Sequence, residues 1–364
     1  MRKWVVCALL LVLSVSFADA TGSKEKKAEA ISGPLKVGFI YIGSADDRGY
    51  IYAHEQSAKA AEEYFGSGIE VIRKENVPEN EACAQAMGDL ISAGCRMIFA
   101  TSYNYQQYVL RVASNHPKVY FEHCSGMKRN NSNISTYFGR MYQIRYLTGM
   151  VAGAMSKSGN IGYVAAFKTP EVFRGINAFT LGVKSVNPDA VVNVIWTNSW
   201  YNPQVERDAA LKLLDQGVDL IAQHENTTEP AKAALERGKY AIGYDADFRS
   251  ILSDDKVLCS AEWNWSKYVI PAIQSVLDDK FMPQSYWGGS NQGIVFLSSI
   301  SPLVPNEFQT KVHEKAEELK KGSFGVFWGE LTDNEGTVRQ KAGGKMSDDE
   351  LLSMNWLVDG VVVR

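Results

Sequence analysis

Most of the short signatures that carry enzymatic chemistry are missing from this chain. There is no GxxxxGK(S/T) loop to cradle a nucleotide phosphate, no GxGxxG after the first strand, and no GxSxG to present a serine nucleophile. Histidine is scarce: His54, His116, His123, His224 and His313 are scattered, and no pair has metal-ligand spacing. A lone histidine is more often a structural residue than a ligand. Asp46–Asp47 and Asp245/Asp247 could be paired carboxylates, but Asp is also an ordinary strand-exit and helix-cap residue. The expectation is therefore no catalytic set, no metal, no cofactor, and a protein that is not an enzyme. Basic excess is absent too. The formal charge is −3, which argues against a polyanionic partner such as nucleic acid.

Cysteine is sparse and forms no CxxC. Apart from Cys7, the four are Cys83, Cys95, Cys124 and Cys259. The last three each adjoin an apolar run, so the expected state is a buried thiol acting as a small hydrophobe. Beyond the N-terminus no stretch is apolar enough to span a bilayer. The N-terminus itself has three parts: Arg2 and Lys3, an apolar run from Trp4 to Phe17, and the small-x-small triplet Ala18-Asp19-Ala20. That pattern reads as a cleaved signal peptide at 1–20 and a periplasmic destination. Loss of Arg2, Lys3 and Asp19 takes the charge from −3 to −4. Residues 21–34, rich in Lys, Glu, Ala and Ser, read as a flexible tether.

What is present is an alternation of short apolar runs and helical patterns. Asn160–Ala166, Glu171–Val186 and Ala190–Trp196 read as strand, helix and strand, a βαβ unit whose strands should be parallel. Its second strand exits into Thr197-Asn-Ser-Trp200-Tyr. The same unit occurs earlier, from Lys36 to Arg73, and its first strand exits into a loop holding Asp47 and Tyr50. Ligands of open α/β sheets sit outside the carboxyl ends of strands. Tyr50 and Trp200 are thus aromatics at facing ligand mouths. Cys95–Ala100 and Val119–His123 read as further strands with polar exits, and Tyr142–Met155 as an apolar helix that Gly149 and Gly153 let pack closely. Thr136–Arg140 reads as a crossing segment, and a hairpin is expected about Asp333–Gly336.

Several stretches together carry a resemblance: NIGYVAAF from Asn160, PEVFRGINAFTLGVKSVNP from Pro170, WTNSW from Trp196, AIGYDAD from Ala241, WNW from Trp263, YWGG from Tyr286 and MNWLVDG from Met354. From about Lys36 onward the chain resembles the BMP family of extracellular solute-binding receptors of ABC importers. It looks closest to a subgroup whose known ligand includes adenine. The resemblance implies a type I periplasmic-binding-protein fold, two Rossmann-like lobes joined by a three-strand hinge with crossings near Phe138, Glu262 and Leu297. Lobe 1 would comprise 35–138 and 263–296, and lobe 2 would comprise 139–262 and 297–364. In nucleoside-binding relatives two aromatics sandwich the base, and the matching positions here are Tyr50 and Trp200. The ribose-binding Asp matches Asp245, but the ribose-binding Lys is replaced by Trp263. That substitution favours a bare, adenine-like purine over a nucleoside.

Expected edge-reading groups are Asp47, Ser102, Glu122, Asn198, Asp245 and Asn264, with Trp263 beside them. The Trp263-Asn264-Trp265 cluster could equally be packing at a helix start. The implied partners are the purine and ABC permease subunits in the inner membrane, with the receptor itself a monomer. Two other roles stay open: a purine nucleoside receptor, and a ligand-sensing partner of a membrane signalling protein.

Overall fold

The alternation of apolar runs and amphipathic segments becomes two parallel sheets in the computed structural model, which describes Met1 and residues 33–364. The signal peptide expected at 1–20 and nearly all of the tether expected at 21–34 lie outside the described residues. β1 (Leu35–Ile40), β2 (Ile69–Lys74), β3 (Met97–Ala100), β4 (Tyr120–Cys124) and β5 (Ile134–Gly139) run parallel in the first sheet. Helices α1 (Tyr50–Phe65), α2 (Glu81–Ser92) and α3 (Gln106–Asn115) link the first four.

After α4 (Tyr142–Met155) the pattern repeats. β6 (Asn160–Ala165), β7 (Val191–Trp196), β8 (Leu220–His224), β9 (Tyr240–Asp245) and β10 (Val257–Trp263) form the second parallel set. Their linking helices are α5 (Pro170–Val186), α6 (Pro203–Asp215), α7 (Glu229–Glu236) and α8 (Phe248–Leu252). The chain then returns through α9 (Ser266–Leu277) to β11 (Ser285–Gly288) on the edge of the first sheet, parallel to β5. It crosses back as β12 (Val295–Leu297), antiparallel to β10. Then follow α10 (Asn306–Lys321), the hairpin β13 (Leu331–Thr332) and β14 (Val338–Gln340), and α11 (Asp348–Leu352). Last comes β15 (Val361–Val363), which adds to β7.

The strand orders are β11-β5-β4-β3-β1-β2 and β12-β10-β9-β8-β6-β7-β15. Stripped of their edge strands, both sheets share one doubly wound order, which reverses between β1 and β3 and again between β6 and β8. Thr136–Arg140, expected to be a crossing, is instead mostly β5, and the chain leaves the first sheet just after it. Phe138 and Glu262 stand one residue from the ends of β5 and β10, whereas the third passage runs through 289–294 rather than near Leu297. β11 and β15 were not foreseen. Each is too short to show a period of its own and is held by pairing to a longer neighbour.

Aromatic and aliphatic side chains fill each sheet's faces. Phe39 stacks on Phe99 with ring centroids 4.7 Å apart on one face of the first sheet, and Phe121 and Ile134 are buried with Ile98 on the other. Each such side chain contributes roughly 1.5–3 kcal/mol by leaving water. α4 and α5 pack backbone to backbone: a β-carbon on Gly149 would lie 2.1 Å from the Phe179 carbonyl oxygen. Cys83, Cys95, Cys124 and Cys259 are all buried free thiols. No helix among the described residues is long and apolar enough to cross a membrane.

Candidate ligand-binding site

Parallel strands exit on one side of their sheet, so the loops after β1, β3, β6 and β8 converge where the strand orders reverse. A cleft open to solvent lies there, lined from both sheets. The first lobe contributes Tyr50, Ser102 and Phe138 to its wall, and the second contributes Glu171, Trp200, His224 and Tyr244. The lobes also touch directly. A β-carbon on Gly49 would sit 2.1 Å from the Asn226 carbonyl oxygen, so only glycine permits this approach.

The sequence places strain here as well. Of the non-glycine residues with positive φ, Ser125 (57°) directly follows β4, Asn198 (57°) follows β7, and Asp245 (70°) ends β9. Left-handed backbone at such residues costs about 1–3 kcal/mol and persists where surrounding structure enforces it, often at ligand sites.

Tyr50 opens α1. The carboxylate of Asp47 holds that turn, accepting from the N–H groups of Gly49 (2.9 Å), Ile51 (2.9 Å) and Tyr52 (2.8 Å). Burial pushes the Asp47 carboxyl up to about 6, opposed by those three donors. The Tyr50 hydroxyl donates to Cys124 Sγ at 3.2 Å, and its ring meets His54 edge-on at 4.7 Å. Behind it runs an aromatic column: His54 stacks on Trp265 (4.7 Å) and Trp265 on Trp263 (4.2 Å). On the opposite wall Trp200 packs against Phe167 with centroids 5.5 Å apart.

The polar part of the wall centres on His224. Its Nε2 lies 3.1 Å from Glu171 Oε1 and 3.2 Å from the Tyr244 hydroxyl. Burial lowers the His224 pKa to about 4, so the ring is neutral at pH 7, and a carboxylate beside Nε2 places the proton there. Beneath, the Arg145 guanidinium lies 3.7 Å from the Tyr244 ring centroid and donates to the Gln223 carbonyl at 2.6 Å. The result is a slot with aromatic walls, edged by one carboxylate, two serines (Ser102 and Ser125) and Asn226. Such a slot suits a planar heterocycle with N–H donors on its rim.

Of the residues expected from sequence, Tyr50, Ser102 and Trp200 stand on this wall. The others are placed elsewhere. Asp47 caps α1. Trp263 Nε1 donates to Asp245 Oδ1 at 2.9 Å, Asp245 Oδ2 is buried without a partner, and the two residues are only 1% and 5% exposed. Trp263 lies behind Phe138, ring centroids 4.9 Å apart. Glu122 lies in the first lobe's interior, accepting from the Tyr268 hydroxyl at 2.6 Å, and burial pushes its carboxyl up to about 8. Asn198 is exposed. Asn264 accepts from the Ser266 hydroxyl at the start of α9. Glu171, Tyr244 and Asn226 were missed as site residues. All three lie at strand exits or helix starts, the rule that did find Tyr50 and Trp200.

The sequence profile of a family described as "Bmp: ABC transporter substrate-binding protein PnrA-like" matches residues 35–326. The chain is similar to a purine-binding protein of Brucella abortus, at 38% identity over 90% of this chain and 93% of that one. It is also similar to a proposed ABC transporter glucose-binding protein of Haloferax volcanii, at 32% identity over 83% of this chain and 76% of that one. Among solved structures, an ABC transporter solute-binding protein from Aeropyrum pernix superposes with a TM-score of 0.70 at 17% identity, covering 87% of this chain and 97% of that one. That last likeness speaks for the fold alone.

Proposed function

The chain belongs to the Bmp family of PnrA-like ABC transporter substrate-binding proteins, and from that premise we propose that it is the periplasmic receptor of an importer for a bare purine base of the adenine kind. The observation that carries the reading is a single cavity walled by Tyr50 from one lobe and Trp200 from the other. Stacking on aromatics contributes roughly 1–3 kcal/mol per base. Glu171 accepts from ring and exocyclic N–H groups, while the serine hydroxyls and Asn226 complete the edge. A hexose such as glucose has no flat π-face and carries many hydroxyls, which suits this aromatic slot less well. The similarity to a purine-binding relative points the same way.

The ligand works as a bridge. Its contacts to both lobes are complete only when the lobes are together, so binding favours the closed state by the difference in affinity between open and closed forms. Permease subunits then read the closed form. Mass spectrometry of ligand released from the purified protein tests the chemical class directly, followed by calorimetric titration with adenine, adenosine, guanine, guanosine and glucose. Adenine should bind best. A sugar as the released ligand, or glucose binding with no purine binding, would overturn the reading.

A further inference from the structure

A second, larger chamber of about 970 Å³ adjoins the first and shares Tyr103, Ser125, Phe138 and Glu171 with it. One wall, at the boundary with the first cavity, is built around the first turn of α5. No side chain caps that helix, Pro170 occupies its start, and the hydroxyl oxygen of Thr169 is buried without a hydrogen-bond partner. One turn on, Arg174 is only 4% exposed and lines the chamber. Its Nη1 donates to the Leu351 carbonyl at 2.6 Å and, more weakly, to the Pro170 carbonyl at 3.3 Å. Nε and Nη2 have no partner among the described residues. The guanidinium lies 5.1 Å from the Trp287 ring centroid.

The charges around this chamber are largely spoken for. Asp348 is held on both oxygens by Arg140, at 2.7 and 2.6 Å. Glu171 faces His224 and, on the purine reading, the base's N–H groups. Arg174 feels both carboxylates through space but makes a direct ion pair with neither. Burial lowers its pKa only to about 10, so it keeps its charge at pH 7. A helix start with unpaired N–H groups, a free hydroxyl and a fork of unused guanidinium donors together form an oxyanion receptor.

We propose that this chamber is a second ligand subsite, in which Arg174, Thr169 and the first turn of α5 hold an oxyanion, carboxylate or phosphate, beside the purine in the first cavity. The inference rests on the purine reading of that cavity. The oxyanion has two possible sources: a substituent on the purine itself, or a free small anion.

Calorimetry separates them. The mature protein is titrated with adenine and with adenines bearing carboxymethyl groups at N9 or N6. The matching carboxamides, and adenine in the presence of inorganic phosphate or acetate, complete the set. A tethered oxyanion should make one carboxylate bind about tenfold more tightly than its carboxamide, the margin of a charge-assisted over a neutral hydrogen bond. A free one should raise adenine affinity in phosphate or acetate. Either gain should vanish in Arg174→Gln, persist in part in Arg174→Lys, and shrink in Thr169→Val, with adenine's own affinity unchanged. Retained adenine binding also reports that each variant is folded. No gain in either arm overturns the subsite. Should adenine fail to bind at all, the purine reading falls by itself. Direct phosphate titration of the parent and Arg174→Gln then decides the subsite alone.

Discussion

Base against nucleoside is the discrimination this site should make most sharply. The two positions that the family resemblance matches to ribose-holding residues are Asp245 and Trp263, and these are bonded to each other at 2.9 Å behind the cavity wall. Asp245 is only 1% exposed, so its carboxylate is out of a sugar's reach. A ribose entering the closed cleft would meet aromatic surface, and its hydroxyls would lose water without gaining partners. Leaving one buried hydroxyl unpaired costs about 1–3 kcal/mol. A single loss therefore already approaches or exceeds tenfold in affinity. Adenine should bind at least about ten times more tightly than adenosine. Trp263→Lys should narrow that gap, because it opens space behind Phe138 and returns a cation to Asp245. Trp263→Phe is the control. It keeps the ring stacked on Trp265, removes the donor to Asp245, and should lower stability by about 1–3 kcal/mol without changing the preference. Competition titrations measure the ratio and chemical denaturation measures the stability. If adenosine matches or outbinds adenine in the parent protein, the reasoning is wrong.

Three further outcomes are expected. Trp200→Ala should weaken adenine binding by roughly 10- to 100-fold, as loss of about 1–3 kcal/mol of stacking requires; equal affinities by calorimetry would reduce Trp200 to packing. Gly49→Ala should prop the lobes apart, since its β-carbon would fall 2.1 Å from the Asn226 carbonyl; ligand-saturated small-angle scattering should then show a larger radius of gyration than the parent, and an equal one would refute the contact. Burial pushes the carboxyls of Glu122 and Glu262 up to about 8. The folded chain therefore keeps protons that the unfolded chain releases near the ordinary 4.5, and stability should fall as pH rises toward 8. The neutral histidines His54, His123 and His224, held at about 3 to 4, act oppositely but only below their ordinary 6.5. The clean window is thus pH 6.5 to 8. Melting temperatures should decline across it and less so in Glu122→Gln; a flat or rising profile in the parent would refute the assignment.

The doubly wound sheets were legible because each βα unit announces itself twice, by an apolar run with strand period and by a helix with its own. Edge strands were not, because β11 and β15 take their conformation from β5 and β7 rather than from their own residues. The cavity shows the same division. Tyr50 and Trp200 are large, polar-tipped aromatics in the segments that follow β1 and β7, and the rule for open α/β sheets finds them. Trp263 and Asp245 also stand at or beside strand ends, yet Trp263 spends its one donor on Asp245, a pairing across 18 residues that no local pattern encodes. Glu171 looked like an ordinary acidic residue in the first turn of a helix, where the dipole welcomes it. Only the fold brings His224, from a strand 53 residues later, within 3.1 Å of its carboxylate and turns it toward the cleft. Arg174 is hidden for a related reason. Its position in α5 is that of a core residue, and its cation becomes conspicuous only once Arg140 is seen to hold Asp348, 208 residues away, leaving Arg174 with unspent donors at the chamber wall.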